Sequence, residues 1–211
     1  MQMMAMDKRK KKIMHRKNEF ADAAQHLFYT RGYEKTTIEE IADFAGYTKM
    51  TLYSYFQSKD EIYIVVFIRS LVERVKYIEK GLLSGNNGYQ QLKNIAHKYF
   101  EFYSERPEQL KFFQSWQKWT VDESKISNSI LEKYREINLQ GIDYIRKAIV
   151  NGINDGSLCP DLEVDKIVSY FLYSSRAVLS EYFFSTHQFH KFTEPDYYYD
   201  YISLFLKAIS S

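Results

Sequence analysis

Helix breakers are almost absent from this chain. Only Pro107, Pro160, Pro195 and eight glycines interrupt its 211 residues. Between those breaks, apolar residues recur at helical spacing, and no stretch alternates as a strand would. Hydrophobic residues make up 45 % of the chain, enough for a sizeable core. The expected class is therefore all-α, with about nine helices.

The helices can be read from their stripes and ends. Phe20, Ala23, Ala24, Leu27 and Phe28 form the first stripe, closed by Gly32. Thr37 and Glu40 have capping-box spacing and open a second helix. Its buried face is Ile38, Ile41, Ala42 and Ala45, and Gly46 stops it. Thr48 caps a short third helix that reaches Tyr55. Ser58 and Glu61 repeat the capping-box spacing and open a long fourth helix with Ile62, Val65, Val66, Val72, Val75 and Ile78 on one side. Gly81 to Gly88 reads as a loop. A fifth helix carries Tyr89, Leu92, Ile95, Ala96, Tyr99 and Phe100. Pro107 suits the first turn of a sixth, with Leu110, Phe113 and Trp116. A long seventh runs from Ser127 to Asp155, an apolar eighth covers 165–187, and a ninth follows Pro195.

Charge is unevenly placed. Through Lys59 the chain carries 11 Lys and Arg against 7 Asp and Glu, and beyond it 18 against 20. The tract Lys8 to Lys12, followed by Arg16 and Lys17, concentrates positive charge at one end. Such an arm suits a polyanion, although a solvated tail has the same composition. Residues 1–15 are expected to form this flexible basic arm. The single Cys159 excludes an internal disulfide and fits a reducing compartment. No apolar run approaches the ~20 residues of a membrane span, and no apolar stretch follows the basic start as in a signal peptide. A cytoplasmic protein without membrane contact is expected.

The stretch from Thr37 to Phe56 places two short helices around Gly46. Glycine permits the left-handed backbone of a tight turn. The second helix is too short to stand alone. Leu52 and Phe56 would pack inward, leaving Lys49, Met50, Thr51, Tyr53 and Ser54 outside. An exposed helix bearing hydroxyls, a lysine and a tyrosine suits a major groove. Thr37, at a helix start, has an amide and a hydroxyl to offer a phosphate.

This stretch resembles the tetracycline-repressor (TetR) family of bacterial regulators. The resemblance extends back through Phe28-Tyr-Thr-Arg-Gly-Tyr33 and forward through Phe56-Gln-Ser-Lys59-Asp-Glu61. It implies an all-helical dimer that binds DNA through three N-terminal helices. By position it carries over Thr37, Thr48, Lys49, Thr51, Tyr53 and Lys59 as DNA contacts, whereas Met50 departs from the small residue common there. It also implies a helix-turn-helix head over 16–58 and a ligand-binding and dimerisation domain over 59–211.

The aromatic residues beyond the head have two readings. Core packing explains each of Phe100, Tyr103, Phe113, Trp116, Trp119 and Tyr173 separately. The resemblance places them on helices around an inducer site, where they would wall an apolar cavity. Ser174 and Ala177 would admit a close helix, with Phe171, Val178 and Tyr182 around them. The resemblance makes this the dimer interface. Arg176, on the same helix, needs an acidic partner across that interface or a ligand carboxylate. Without an obvious buried charge cluster, the aromatic content favours a hydrophobic or aromatic ligand.

His187 and His190 are one helical turn apart, but exposed tail histidines are the commoner reading, so no metal is expected. No cofactor is expected, and no nucleophile elbow, phosphate-cradling glycine loop or paired-carboxylate motif points to catalysis. The expectation is a regulator that binds a pseudo-palindromic double-stranded operator as a homodimer. A small-molecule inducer would release it. The alternative is a DNA-anchored protein-interaction factor of the same fold without an inducer.

Overall fold

A computed structural model of the chain describes residues 2–117, 123–184 and 196–211, with 2–7 and 115–117 as backbone alone. Among the described residues there are nine α-helices and no strand. They are α1 (Gln2–Arg31), α2 (Ile38–Phe44), α3 (Lys49–Tyr53), α4 (Lys59–Leu83), α5 (Gly88–Glu105), α6 (Pro107–Gln117), α7 (Asn128–Asp155), α8 (Val164–Phe184) and α9 (Asp196–Ile209). The all-α expectation holds.

The chain forms two compact units. The first comprises residues 1–70 and 111–135, the second 71–110 and 136–211. The boundary expected at residue 58 therefore falls inside the first unit. Packing explains this: Ile64 of α4 clusters with Ile126 and Leu131, and the Tyr63 ring lies 5.4 Å from Phe28 and 4.6 Å from Phe112. Residues 2–15, expected as a flexible arm, continue α1 as helix.

In the first unit, the apolar stripe of α1 is fully used. Phe20, Ala24, Leu27 and Phe28 are all buried, as are Ile41 and Ala42 of α2 and Leu52 of α3. Truncating Phe20 would cost about 3–5 kcal/mol, the usual range for a buried phenylalanine. The second capping box forms only in part. Ser58 accepts the Glu61 amide at 3.0 Å, but the Glu61 carboxylate accepts the amides of Gln57 (2.6 Å) and Ser127 (3.1 Å). Ser58 in turn donates to the Lys125 carbonyl at 2.8 Å. These bonds hold the start of α4 against the start of α7.

In the second unit, the expected loop at Gly81 is helix. A Cβ on Gly81 would lie 2.6 Å from the Ile95 backbone, so glycine here lets α4 and α5 cross closely. The same holds at Gly88, where a Cβ would stand 1.9 Å from the Gly152 nitrogen. The start of α5 is capped from outside: Gly88 donates to Asp155 at 2.7 Å and Tyr89 to Ser157 at 3.0 Å. Phe171 of α8 packs edge-on against Phe205 of α9 at 5.8 Å. No described helix is long and apolar enough to cross a membrane.

Candidate nucleic-acid interface

The reading head is built from local signals. Thr37 accepts the Glu40 amide at 3.2 Å, and the Glu40 carboxylate accepts the Thr37 amide at 2.8 Å. Thr37 also donates its hydroxyl to Glu40 at 3.1 Å. Its amide and hydroxyl are thus engaged by a carboxylate, and a phosphate must compete with Glu40 for them. Arg31 holds the same carboxylate at 3.1 Å. The backbone hydrogen bond from Thr37, with its hydroxyl and Arg31, holds Glu40 below its ordinary pKa.

Gly46 takes φ +77°, the left-handed conformation the turn requires. Thr48 then caps α3, accepting the Thr51 amide at 3.2 Å. Leu52 is fully buried and Phe56 nearly so, so the outer face is set by elimination. Met50 is 83 % exposed and Tyr53 47 %, and Thr37, Thr48, Lys49 and Ser54 are exposed with them. Thr51 is half-buried, its hydroxyl 2.9 Å from that of Thr48. The structure brings the outward side chains of α3 together on one face.

Two of the lysines are less free than their sequence positions imply. Lys49 is ion-paired with Glu39 of α2, and that bond raises the lysine pKa and lowers the carboxylate's. Lys59 is half-buried with its ammonium 3.9 Å from the centre of the Tyr33 ring. Burial lowers its pKa, while Glu34, Asp60 and Glu40 act in the other direction. The Tyr33 hydroxyl donates to Asp60, which fixes that ring beside the start of α4.

Sequence reasoning missed a basic groove beside α3. Arg9, Lys12, Ile13 and Lys17 of α1 line it with Ser54 and Tyr55. The Arg16 guanidinium lies 4.0 Å over the Tyr47 ring, and Tyr47 donates to Glu19 at 3.2 Å. The charge run was visible in the sequence, but its helical continuation into α1 was not.

Residues 20–66 match the model of the bacterial regulatory proteins of the tetR family. This match places the head, residues 20–66, in the tetR family. The transcriptional activator FasR of Mycolicibacterium smegmatis is 33 % identical over 87 residues, 41 % of this chain and 40 % of FasR. The repressor KstR2 of the same organism is 27 % identical over 158 residues, covering 74 % of this chain and 73 % of KstR2. Two solved structures share the fold. The ketosteroid transcriptional regulator KstR2 of Mycobacterium tuberculosis gives a TM-score of 0.66 at 22 % identity, over 93 % of this chain and 95 % of that one. FadR of Bacillus subtilis, in complex with stearoyl-CoA, gives 0.66 at 17 % identity, over 92 % and 97 %. Residues 20–66 thus form a helix-turn-helix head of the kind these transcriptional regulators carry.

The residues expected to bind ligand occupy different settings. Phe100 is buried against the rings of Tyr182, Phe183, Tyr198 and Tyr199. Tyr103 is buried edge-on to Tyr99 at 4.9 Å and Phe102 at 4.9 Å. Phe113 belongs to the first unit, its ring 4.5 Å from Phe67. Tyr173 is 65 % exposed and so stands outside any enclosed site in its protomer. The Trp116 side chain and all of Trp119 lie outside the described residues, as do His187 and His190. Among the described residues no group of three His, Cys, Asp or Glu side chains could hold a metal.

Of the expected interface residues, Ala177 is exposed, and Ser174, Val178 and Tyr182 are half-buried. Phe171 is only 1 % exposed, so it underlies that face instead of forming it. Ser174 hydrogen-bonds to Tyr201 of α9. Tyr170 and Tyr173, unassigned to the interface from sequence, share the outward face with Ala177.

Sequence reasoning also missed a buried cation. Arg74 is 6 % exposed, beside Tyr99 and Tyr103. The signal was available: Leu71, Val75 and Ile78 mark the buried stripe of α4, and position 74 falls within it.

Proposed function

We propose that the chain is a repressor that binds a pseudo-palindromic operator as a homodimer and is released by a small apolar or aromatic ligand. The exposed face of α3, anchored by Leu52, carries this reading. Lys49, Met50, Thr51, Tyr53 and Ser54 would enter the major groove, while Thr37, Thr48, Lys59 and the basic groove of α1 meet the backbone. The outward faces of α8 and α9 would join two subunits, so that two copies of α3 meet successive grooves on one side of the duplex. The repressor reading is supported by KstR2, whose likeness spans far more of the chain than that of FasR. A ligand can release the operator only by favouring a conformation that fits it less well.

The test is binding to the DNA flanking the gene itself, followed by fluorescence anisotropy against a scrambled duplex. Saturable binding of two protomers per site, lost in Tyr53→Ala, is the expected result. Equal affinity for both duplexes would refute the operator reading.

A further inference from the structure

Four polar atoms on three helices of the second unit are buried with no protein group in full hydrogen-bond geometry. They are the Tyr99 hydroxyl on α5, the Ser175 hydroxyl and Arg176 Nε on α8, and the Tyr198 hydroxyl on α9. Tyr99, Ser175 and Tyr198 are 2, 0 and 0 % exposed. They neighbour one another in a chain: Tyr103 and Arg176 reach the Tyr99 hydroxyl with weak hydrogen bonds, Tyr99 acts on Tyr198, and Ser175 reaches the Tyr198 hydroxyl. Arg74 adds a second guanidinium, 6.0 Å from the Tyr99 ring. Around this polar knot the packing is aromatic, with the Phe100 ring 5.4 Å from that of Tyr198.

A buried donor held only by poorly aligned hydrogen bonds recovers little of its desolvation penalty. A core that needed only volume would hold phenylalanine in place of Tyr99 and Tyr198 at no such cost. Every side chain in the knot can donate, two are permanently cationic, and none is a carboxylate. The knot therefore fits an anion that supplies acceptors. One Nε–H and three hydroxyls match the roughly four acceptor sites of a carboxylate.

We infer that Tyr99, Ser175, Arg176 and Tyr198 form the seat for the acidic head of the ligand, so the regulator responds to organic carboxylates with an apolar body. The inference rests on the ligand-responsive reading above and narrows its ligand class. The potential at the seat agrees. Burial alone would raise the Tyr99 hydroxyl, but Arg74 and Arg176, with a hydrogen bond from Tyr103, outweigh it and hold the pKa below the ordinary tyrosine value.

The experiment compares benzoate and decanoate with benzamide and decanamide by titration calorimetry, following operator binding in parallel. At least one acid should bind about tenfold or more tightly than its amide, the scale of a charge-assisted hydrogen bond. Arg176→Met should abolish that preference without lowering the melting temperature of the free protein. The absorbance of tyrosinate supplies a second readout. One tyrosine of the wild type should ionise below the usual range, and Arg176→Met should return it upward. If no acid outbinds its amide, or the preference survives in Arg176→Met, the seat is wrong. If acids bind selectively yet never affect the operator, the seat stands and the inducer reading falls. If amides release DNA as well as acids do, the inducer reading stands and the seat falls.

Discussion

Lys49 at the start of α3 is ion-paired with Glu39 of α2, across the turn of the reading head. Both side chains are exposed, so the pair sits where a phosphate would approach. A phosphate must draw the lysine away from a carboxylate that itself repels DNA. Glu39→Gln should therefore tighten binding several-fold to operator and scrambled duplex alike. It should also steepen the dependence of log affinity on log salt by about one unit. Lys49→Ala should do the reverse. Anisotropy titrations at three salt concentrations measure both, and an unchanged slope in the two variants would remove Lys49 from the backbone contacts.

Two glycines should fail for different reasons. Gly46 has open space around its Cα but a φ of +77°. Gly46→Ala should cost roughly 1–2 kcal/mol of backbone strain, and Gly46→Asn less, because asparagine tolerates that region. Gly88 has no such φ but faces the Gly152 backbone. Gly88→Ala must push α5 off α7 at a cost of about 1–3 kcal/mol or more, and Gly88→Asn should be worse than alanine. Urea unfolding of the four variants gives the order. If asparagine proves the milder change at both positions, the close approach at Gly88 is not what excludes a side chain there.

These contrasts mark what a sequence can reveal. Thr37, Glu40, Gly46 and Thr48 act within a few residues of themselves, so their spacing alone announced the reading head. Gly81 acts through α5, and its isolation in sequence looked like a loop. Arg74 was hidden because a cation in an apolar stripe resembles an interruption until its burial is known. On α8 the apolar residues run almost all round the helix. Periodicity could not say that Phe171 faces inward and Tyr173 outward. Asp155 and Ser157 read only as the end of a helix, because the amides they cap, those of Gly88 and Tyr89, lie far away in sequence.

That cap should titrate. Hydrogen bonds from Ser157 and from the Gly88 amide hold Asp155 below the ordinary aspartate pKa. A carboxylate depressed in the folded state adds stability that is fully present above its unfolded pKa, about 3.9, and fades as pH falls through the lower folded value. Glu39, Glu40 and Glu105 are depressed as well, Glu105 chiefly by the Tyr77 hydroxyl. Melting temperature should therefore drop steeply below about pH 4. Asp155→Asn should melt lower than wild type at pH 7 and converge with it in acid. A constant gap between the two curves from pH 7 to pH 3 would show that the Asp155 charge contributes nothing.

The last prediction separates folding from assembly. Tyr170 and Tyr173 are 59 and 65 % exposed, and with Ala177 they follow the spacing of one helical face. Leu204 of α9 is 69 % exposed, and Ser174 binds Tyr201 where the two helices adjoin. Because Ala177 is already solvent-facing in the protomer, Ala177→Glu leaves the protomer core untouched. At a two-fold interface the same change buries two unpaired carboxylates, a cost that no surface glutamate bears alone. The variant should keep the wild-type helical content but sediment as a monomer at low micromolar concentration. Its operator affinity should fall sharply, since a monomer presents α3 to only one half-site. Phe171→Ala should do the opposite: it opens a cavity costing about 3–5 kcal/mol in the protomer itself. A dimeric Ala177→Glu protein would move the interface off this face of α8.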